Sequence, residues 1–266
     1  MSLLDGVRWL PGGRDLVRHA RAELPQKNEL CGAFAVMVSL RAHGIGVADQ
    51  DEAALVAGTV LLGDGPAGIP PGERGRADFR VALPVTRRPE LAGTSAAGVA
   101  RAVAKLSGGE LAAVPACGDW TVPALRTLLG ELGGLSRVAV IANVDTAAFA
   151  AQDTPPRALR DYLEAGLPPL WTSRWRVGHF VLLAGTLPGR LGTLVSVVDT
   201  YPSLGERGVH LQPIEFAVAA LRREDLAPGG LLLVVPVAEA PAARAAVTAA
   251  GLRSELWDNG SPAPFS

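Results

Sequence analysis

The chain has 266 residues, 48% of them hydrophobic, and a formal net charge of −1 at pH 7. That length suffices to bury roughly 75% of the unfolded surface in a single core, and scattered charges of both signs give nucleic acid no electrostatic footprint. No run approaches the ~18 consecutive apolar residues of a membrane span, so no membrane partner is expected. The opening MSLLDGVRWL is interrupted by Asp5 and Arg8 and lacks a secretory core. Two cysteines, Cys31 and Cys117, are too few for a disulfide scaffold or a clustered metal site. The expectation is a cytoplasmic protein with free thiols, no metal and no cofactor. Lysine occurs only at Lys27 and Lys105, against abundant arginine, alanine and glycine, a bias of GC-rich genomes.

In chain order, residues 14–23 read as a short amphipathic helix ending before Pro25. Residues 29–42 (ELCGAFAVMVSLRA) read as a second helix, with Asn28 as N-cap and Gly44 as its stop. Its side chains are apolar around almost the whole circumference, so it must be buried on all sides and central. Residues 63–84, dense in Gly and Pro, read as a loop excursion forming a lid or rim. Helical patterns follow at 95–107, at 121–132 with Thr121 as cap, and at 155–165. Strand-like runs are 111–115, 138–144, 177–185, 193–199 and 230–237. Helices dominate the first half and strands cluster late. That pattern predicts an α+β fold, a helical lobe with the Cys-bearing helix at its centre packed on an antiparallel sheet lobe. Residues 1–237 read as one domain, and residues 238–266 as a C-terminal helix over 239–250 followed by a frayed tail, NGSPAPFS.

The chemistry starts from Cys31. A free thiol has a pKa near ~8.5, so about 3% is thiolate at pH 7. The first turn of a helix, with its unpaired N–H groups and dipole, favours the anion, and a cationic histidine alongside favours it further. Gly32 leaves room for a substrate carbonyl. The alternative is a small buried hydrophobe, the usual fate of a free cysteine. Gln26, just upstream, can supply a side-chain N–H beside the cysteine's own backbone N–H as an oxyanion hole; otherwise it is a solvated loop residue.

His179 is the histidine placed to stand beside the thiol. The runs 177–185 and 193–199 flank the turn signal LPGR, and a turn centred on Gly189 pairs position 179 with 199. Opposed residues of an antiparallel hairpin share a face, with Cβ atoms about 4.5–5.5 Å apart. Asp199 can then hold one imidazole nitrogen while the other faces the thiol. His43 lies along the Cys31 helix, about 18 Å away at ~1.5 Å per residue. His19 belongs to an amphipathic helix surface. His210 follows a Gly-rich turn and could line a cleft, but has no acid paired with it. Cys117 reads as structural. Trp171 and Trp175, just before His179, read as core packing or as walls of a cleft.

These residues resemble the papain-like cysteine peptidases, in particular the bacteriocin leader-peptide peptidases and their stand-alone bacterial relatives. Shared features are Gln26 before Cys31-Gly32-Ala33, then Gly178-His179-Phe180-Val181, then Asp199 with Pro202. Two departures stand out. Gln26 precedes Cys31 by one position fewer than the family pattern, and two residues separate Asp199 from Pro202. The resemblance implies a papain-like fold with Cys31 as nucleophile, His179 as base, Asp199 as its orienting acid and Gln26 as oxyanion donor. It implies a peptide or other acyl or amide substrate, hydrolysed through an acyl-thioenzyme. Papain-like folds also host acyl transfer and cyclisation, and some serve only as binding modules.

Overall fold

A computed structural model describes residues 2–63, 68–151 and 153–261. In chain order the elements are β1 (Arg8–Trp9), α1 (Gly13–Glu23), α2 (Cys31–Ala42), α3 (Gln50–Ala57), β2 (Leu61–Leu62), β3 (Val85–Thr86), α4 (Ala96–Leu106), β4 (Leu111–Ala116) and α5 (Val122–Leu132). They continue with β5 (Ala139–Asp145), α6 (Pro156–Ala165), β6 (Gly178–Pro188), β7 (Thr193–Val198), β8 (Val209–Pro213), α7 (Ile214–Arg222), β9 (Gly230–Pro236) and α8 (Ala240–Ala249). The main sheet runs β4-β9-β5-β6-β7-β8, with β1 pairing the late part of β6. Every pairing in it is antiparallel. The chain is α+β.

Alternate residues of each strand enter two different cores. Ala139, Ile141, Phe180, Leu182, Leu232 and Val234 pack against α1 to α4. Val140, Ala142, Val181, Leu183, Leu231 and Leu233 pack against α5, α7 and α8. Runs such as LLLVV are apolar at every position because both faces are covered. The expected division into a helical lobe and a sheet lobe therefore gives way to three layers, helices on both faces of one sheet. The sequence reading had α5 and α8 but not α7, which joins them on one face of the sheet, nor β8 at its edge. It also passed over α3, although Asp49 caps its N-terminus, accepting from Glu52 N at 3.0 Å, and Gly58 ends it at φ 71°.

Helix α2 is the central helix expected: ten of its twelve residues are buried. The hydroxyl of Ser39 donates to Ala35 O at 2.7 Å, so even that polar side chain asks nothing of its apolar surroundings. Asn28 is not its N-cap. Leu30 holds that position without a side-chain cap, while Asn28 Oδ1 accepts from Arg76 N at 2.8 Å. The first turn of α2 thus has no side-chain cap.

The segment leading into α2 is strapped from two sides. Lys27, 2% exposed, donates through Nζ to Asp51 Oδ2 at 2.9 Å and to Asp78 O at 2.6 Å. Its backbone N–H donates to Gln50 Oε1 at 2.7 Å. The Gly/Pro-rich excursion is irregular over residues 68–84 and lies against this segment, Asn28 N donating to Arg76 O at 2.8 Å. Residues 64–67 of that excursion lie outside the described residues.

At the other end of the chain, α8 fills the core beneath α5 with Ala240, Ala243 and Val247. The expected frayed tail does not begin at Asn259. That side chain is buried, donates to Thr94 O at 3.1 Å and accepts from Ala96 N at 3.3 Å, fixing the chain to the start of α4. Residues 262–266 of the tail lie outside the described residues.

Candidate active site

The start of β6, the end of β7 and the start of β8 lie at one end of the sheet, beside the N-terminus of α2. Cys31 is the first residue of α2 and half-buried. Its thiol lies beside the imidazole of His179 and the backbone N–H groups of Phe180 and Gly32. Burial pushes the thiol pKa up, but the imidazole and the two N–H groups outweigh it, and the net shift is downward.

His179 is 3% exposed. Its Nε2 meets Asp199 Oδ1 at 3.0 Å and Thr200 Oγ1 at 3.2 Å, which leaves Nδ1 for the thiol. Burial depresses the imidazole pKa, yet the Asp199 carboxylate and the Cys31 sulfur raise it to about 10. Burial likewise raises the carboxyl of Asp199, but His179 and then His210 hold it well below the usual carboxylate range. Thr200 N donates to Asp199 Oδ1 at 2.7 Å. The thiol, the imidazole and the carboxyl therefore stand in a row, each favouring the charged form of its neighbour.

The expected direct opposition of His179 and Asp199 is corrected in detail. Pro188 pairs with Thr193, so the turn spans Gly189 to Gly192 and is not centred on Gly189. Continued from there, the register would set Asp199 opposite Leu182, on the face away from His179. A bulge at Ala184 intervenes: Gly185 pairs with Ser196, but Leu183 with Val197 and Leu182 with Val198. Continuing that register sets Asp199 opposite Val181, with His179 one same-face step further along. The pair meets diagonally.

Gln26 is 5% exposed, so it is not a solvated loop residue. Its backbone N–H donates to Thr200 O at 2.9 Å, and its side-chain amide hydrogen-bonds the Tyr201 hydroxyl. The side-chain oxygen has no hydrogen-bond partner among the described residues. An amide nitrogen carries two N–H bonds, so the Tyr201 hydroxyl does not exhaust its donors. Burial and the negative charges of Cys31, Asp199 and Glu73 push the Tyr201 phenol pKa up, so it stays neutral.

Trp175 and Trp171 part company. Trp175, 6% exposed, stands edge-on over His179 with ring centroids 4.7 Å apart. It is pinned by its Nε1 donating to Gly68 O at 2.7 Å, so the Gly/Pro-rich excursion bears on the histidine's cover. Trp171 is 74% exposed and is not core.

The sequence reading also missed the partner of His210. Its Nε2 meets Asp199 Oδ2 at 3.2 Å. Gln212 fixes the tautomer: its Oε1 accepts from Ala150 N at 2.7 Å, so its Nε2 faces His210 Nδ1 at 2.9 Å as donor. Nδ1 then accepts, and Nε2–H donates to the carboxylate. The signal was available, since the turn over 203–208 brings β8 back antiparallel to β7 and His210 to the face of Val197. His43 caps α2, its Nδ1 2.8 Å from Ser39 O, and His19 lies on α1. Cys117 is buried, its N–H bonded to Arg253 O at 2.9 Å. Among the described residues no group of three His, Cys, Asp or Glu is placed to hold a metal ion, and no helix is long and apolar enough to cross a membrane.

The chain is thus an antiparallel α+β protein with a thiol, an imidazole and a carboxylate in a row. The chain belongs to DUF6885, a family of unknown function whose model matches residues 10–258, a span holding every residue of this site. No curated protein matches it.

Proposed function

We propose that the protein is a papain-like thiol hydrolase that cleaves an amide bond through an acyl-thioenzyme on Cys31. The observation that carries this reading is the placing of Cys31 beside His179, whose imidazole the buried Asp199 carboxylate holds at 3.0 Å. A merely structural cysteine has no need of a histidine held by a buried acid. The Cys31 thiolate attacks the substrate carbonyl carbon. The oxyanion that forms is held by the Cys31 N–H and the free N–H of Gln26. His179 gives its proton to the leaving amine, and the thioester remains on the sulfur. Water, losing a proton to His179, then releases the acid. Asp199 keeps the imidazole oriented and favours its charged form. Trp175 covers the histidine and excludes bulk water from the ion pair.

A peptide aldehyde or vinyl sulfone library followed by intact-protein mass spectrometry tests this. One adduct per chain, mapped to Cys31, absent in His179→Ala and formed well below pH 8, is expected. Alkylation of Cys117 first, or a Cys31 reactivity no greater than that of a free thiol with pKa near ~8.5, would overturn it.

A further inference from the structure

A cavity of about 500 Å³ lies beyond Asp199, bounded by His210, Trp175 and Asp199 but not by Cys31 or His179. Its size is that of a site for a metabolite-sized molecule. The polar side chains in its deep wall are committed to one another. Asp199 Oδ1 is held by His179 and Thr200, and Oδ2 by His210. Both ends of the Gln212 amide are used. Thr146 Oγ1 donates to Trp175 O at 2.7 Å and accepts from Val177 N at 3.0 Å. Ser173 Oγ likewise serves the Trp175 backbone. What remains to face an occupant is apolar: Leu4, Phe149, Leu159 and Leu211, with the ring of His210 among them. The other charged side chains of the lining, Asp153, Arg160 and Glu206, are exposed.

We propose that this cavity is a binding site for a small molecule with an apolar body, and that its occupant, packed on His210, alters the hold of that residue on Asp199 and so the reactivity of Cys31. His210 is the only link needed, because it forms the wall on one side and donates to the acid on the other. It is a positioning residue. Its ring is already wedged edge-on by Phe149 at 5.5 Å, so a body entering beside it presses on a ring with one hydrogen-bonded position.

The probe is N-phenyl-1-naphthylamine, uncharged and fluorescent in apolar surroundings, titrated into the full chain. Saturable binding at one site per chain is expected. It should weaken at least tenfold in Ala151→Trp and in Leu4→Trp, which fill the cavity from two different sides, and remain unchanged in Cys31→Ser. Melting curves show whether each variant is folded, and two independent variants guard against one that is not. Saturating probe should change the iodoacetamide alkylation rate of Cys31 at least threefold in the wild type and leave it unchanged in His210→Phe. Absence of saturable binding, or binding untouched by both tryptophans, overturns the site; binding without effect on the alkylation rate overturns the coupling. Neither readout requires turnover, so failure of the hydrolase reading would appear separately, as a chain that binds probe and alkylates but cleaves nothing.

Discussion

The opposed shifts of Cys31 and His179 fix how the ion pair meets pH. His179, raised to about 10 in the fold from about 6.5 unfolded, contributes stability fully present below about 6.5 and lost as pH rises through about 10. Cys31, depressed in the fold from about 8.5 unfolded, contributes stability present above about 8.5 and lost as pH falls through its folded value. From about pH 6.5, or from the folded value of Cys31 where that lies higher, up to about 8.5 the two trends cancel, since folding there only moves a proton from sulfur to nitrogen. Urea midpoints should therefore be level across that window and fall on either side of it. In Cys31→Ser the level stretch should become a decline that starts near pH 6.5, at up to about 1.4 kcal/mol per pH unit. Asp199→Asn keeps a group of the same shape but cannot stabilise the imidazolium by charge. It should cost about 10²–10⁴-fold in turnover with a small change in melting temperature; unchanged turnover would leave Asp199 as a turn residue only. Gln26→Ala should cost about 10²–10³-fold if its N–H holds the oxyanion. The placing of Cys31, His179 and Asp199 beside one another was legible in the sequence because each lies in a local signal, whether a helix start, a strand or a turn. Trp175 over His179 and the bond from His210 to Asp199 were not legible, since each depends on where a loop or a third strand returns.

The hairpin of β6 and β7 shows how an element can be read correctly for an incomplete reason. The expected pairing ignored the bulge at Ala184 and placed the turn too early, and the net error was two residues. Because the side-chain period of a strand is two, such an error moves a residue along its face and not through the sheet. The lead-in to α2 has no comparable signal, for its order comes from a buried ion pair between segments distant in sequence. Lys27→Met leaves Asp51 as an uncompensated buried charge and should destabilise by about 3–5 kcal/mol. The double variant Lys27→Met/Asp51→Leu removes both charges and should regain most of that in denaturant midpoint. If the double variant is as unstable as the single one, the pair is held by packing and not by charge.

At the scale of the whole molecule, the fold is one sheet with an obligatory cover on each face. The composition conveyed that the strands were apolar throughout, but not which helices went to which side, because α5, α7 and α8 reach the same core from distant parts of the chain. Ending the chain after Pro236 would uncover the α8 side of β4 and β9, including Leu233 and Val235. Such a truncation should lose cooperative thermal unfolding and bind apolar dyes, not fold as a domain of 1–237. The near absence of lysine has a use here. Lys105 is exposed on α4, whereas Lys27 is sealed between Asp51 and the Asp78 carbonyl, four residues before Cys31. A brief pulse of an amine-acylating reagent should therefore tag one lysine in the closed molecule, and the second only when the wall beside Cys31 has come apart. The unmodified chain carries its own counter of opening events, read as the mass of a peptide.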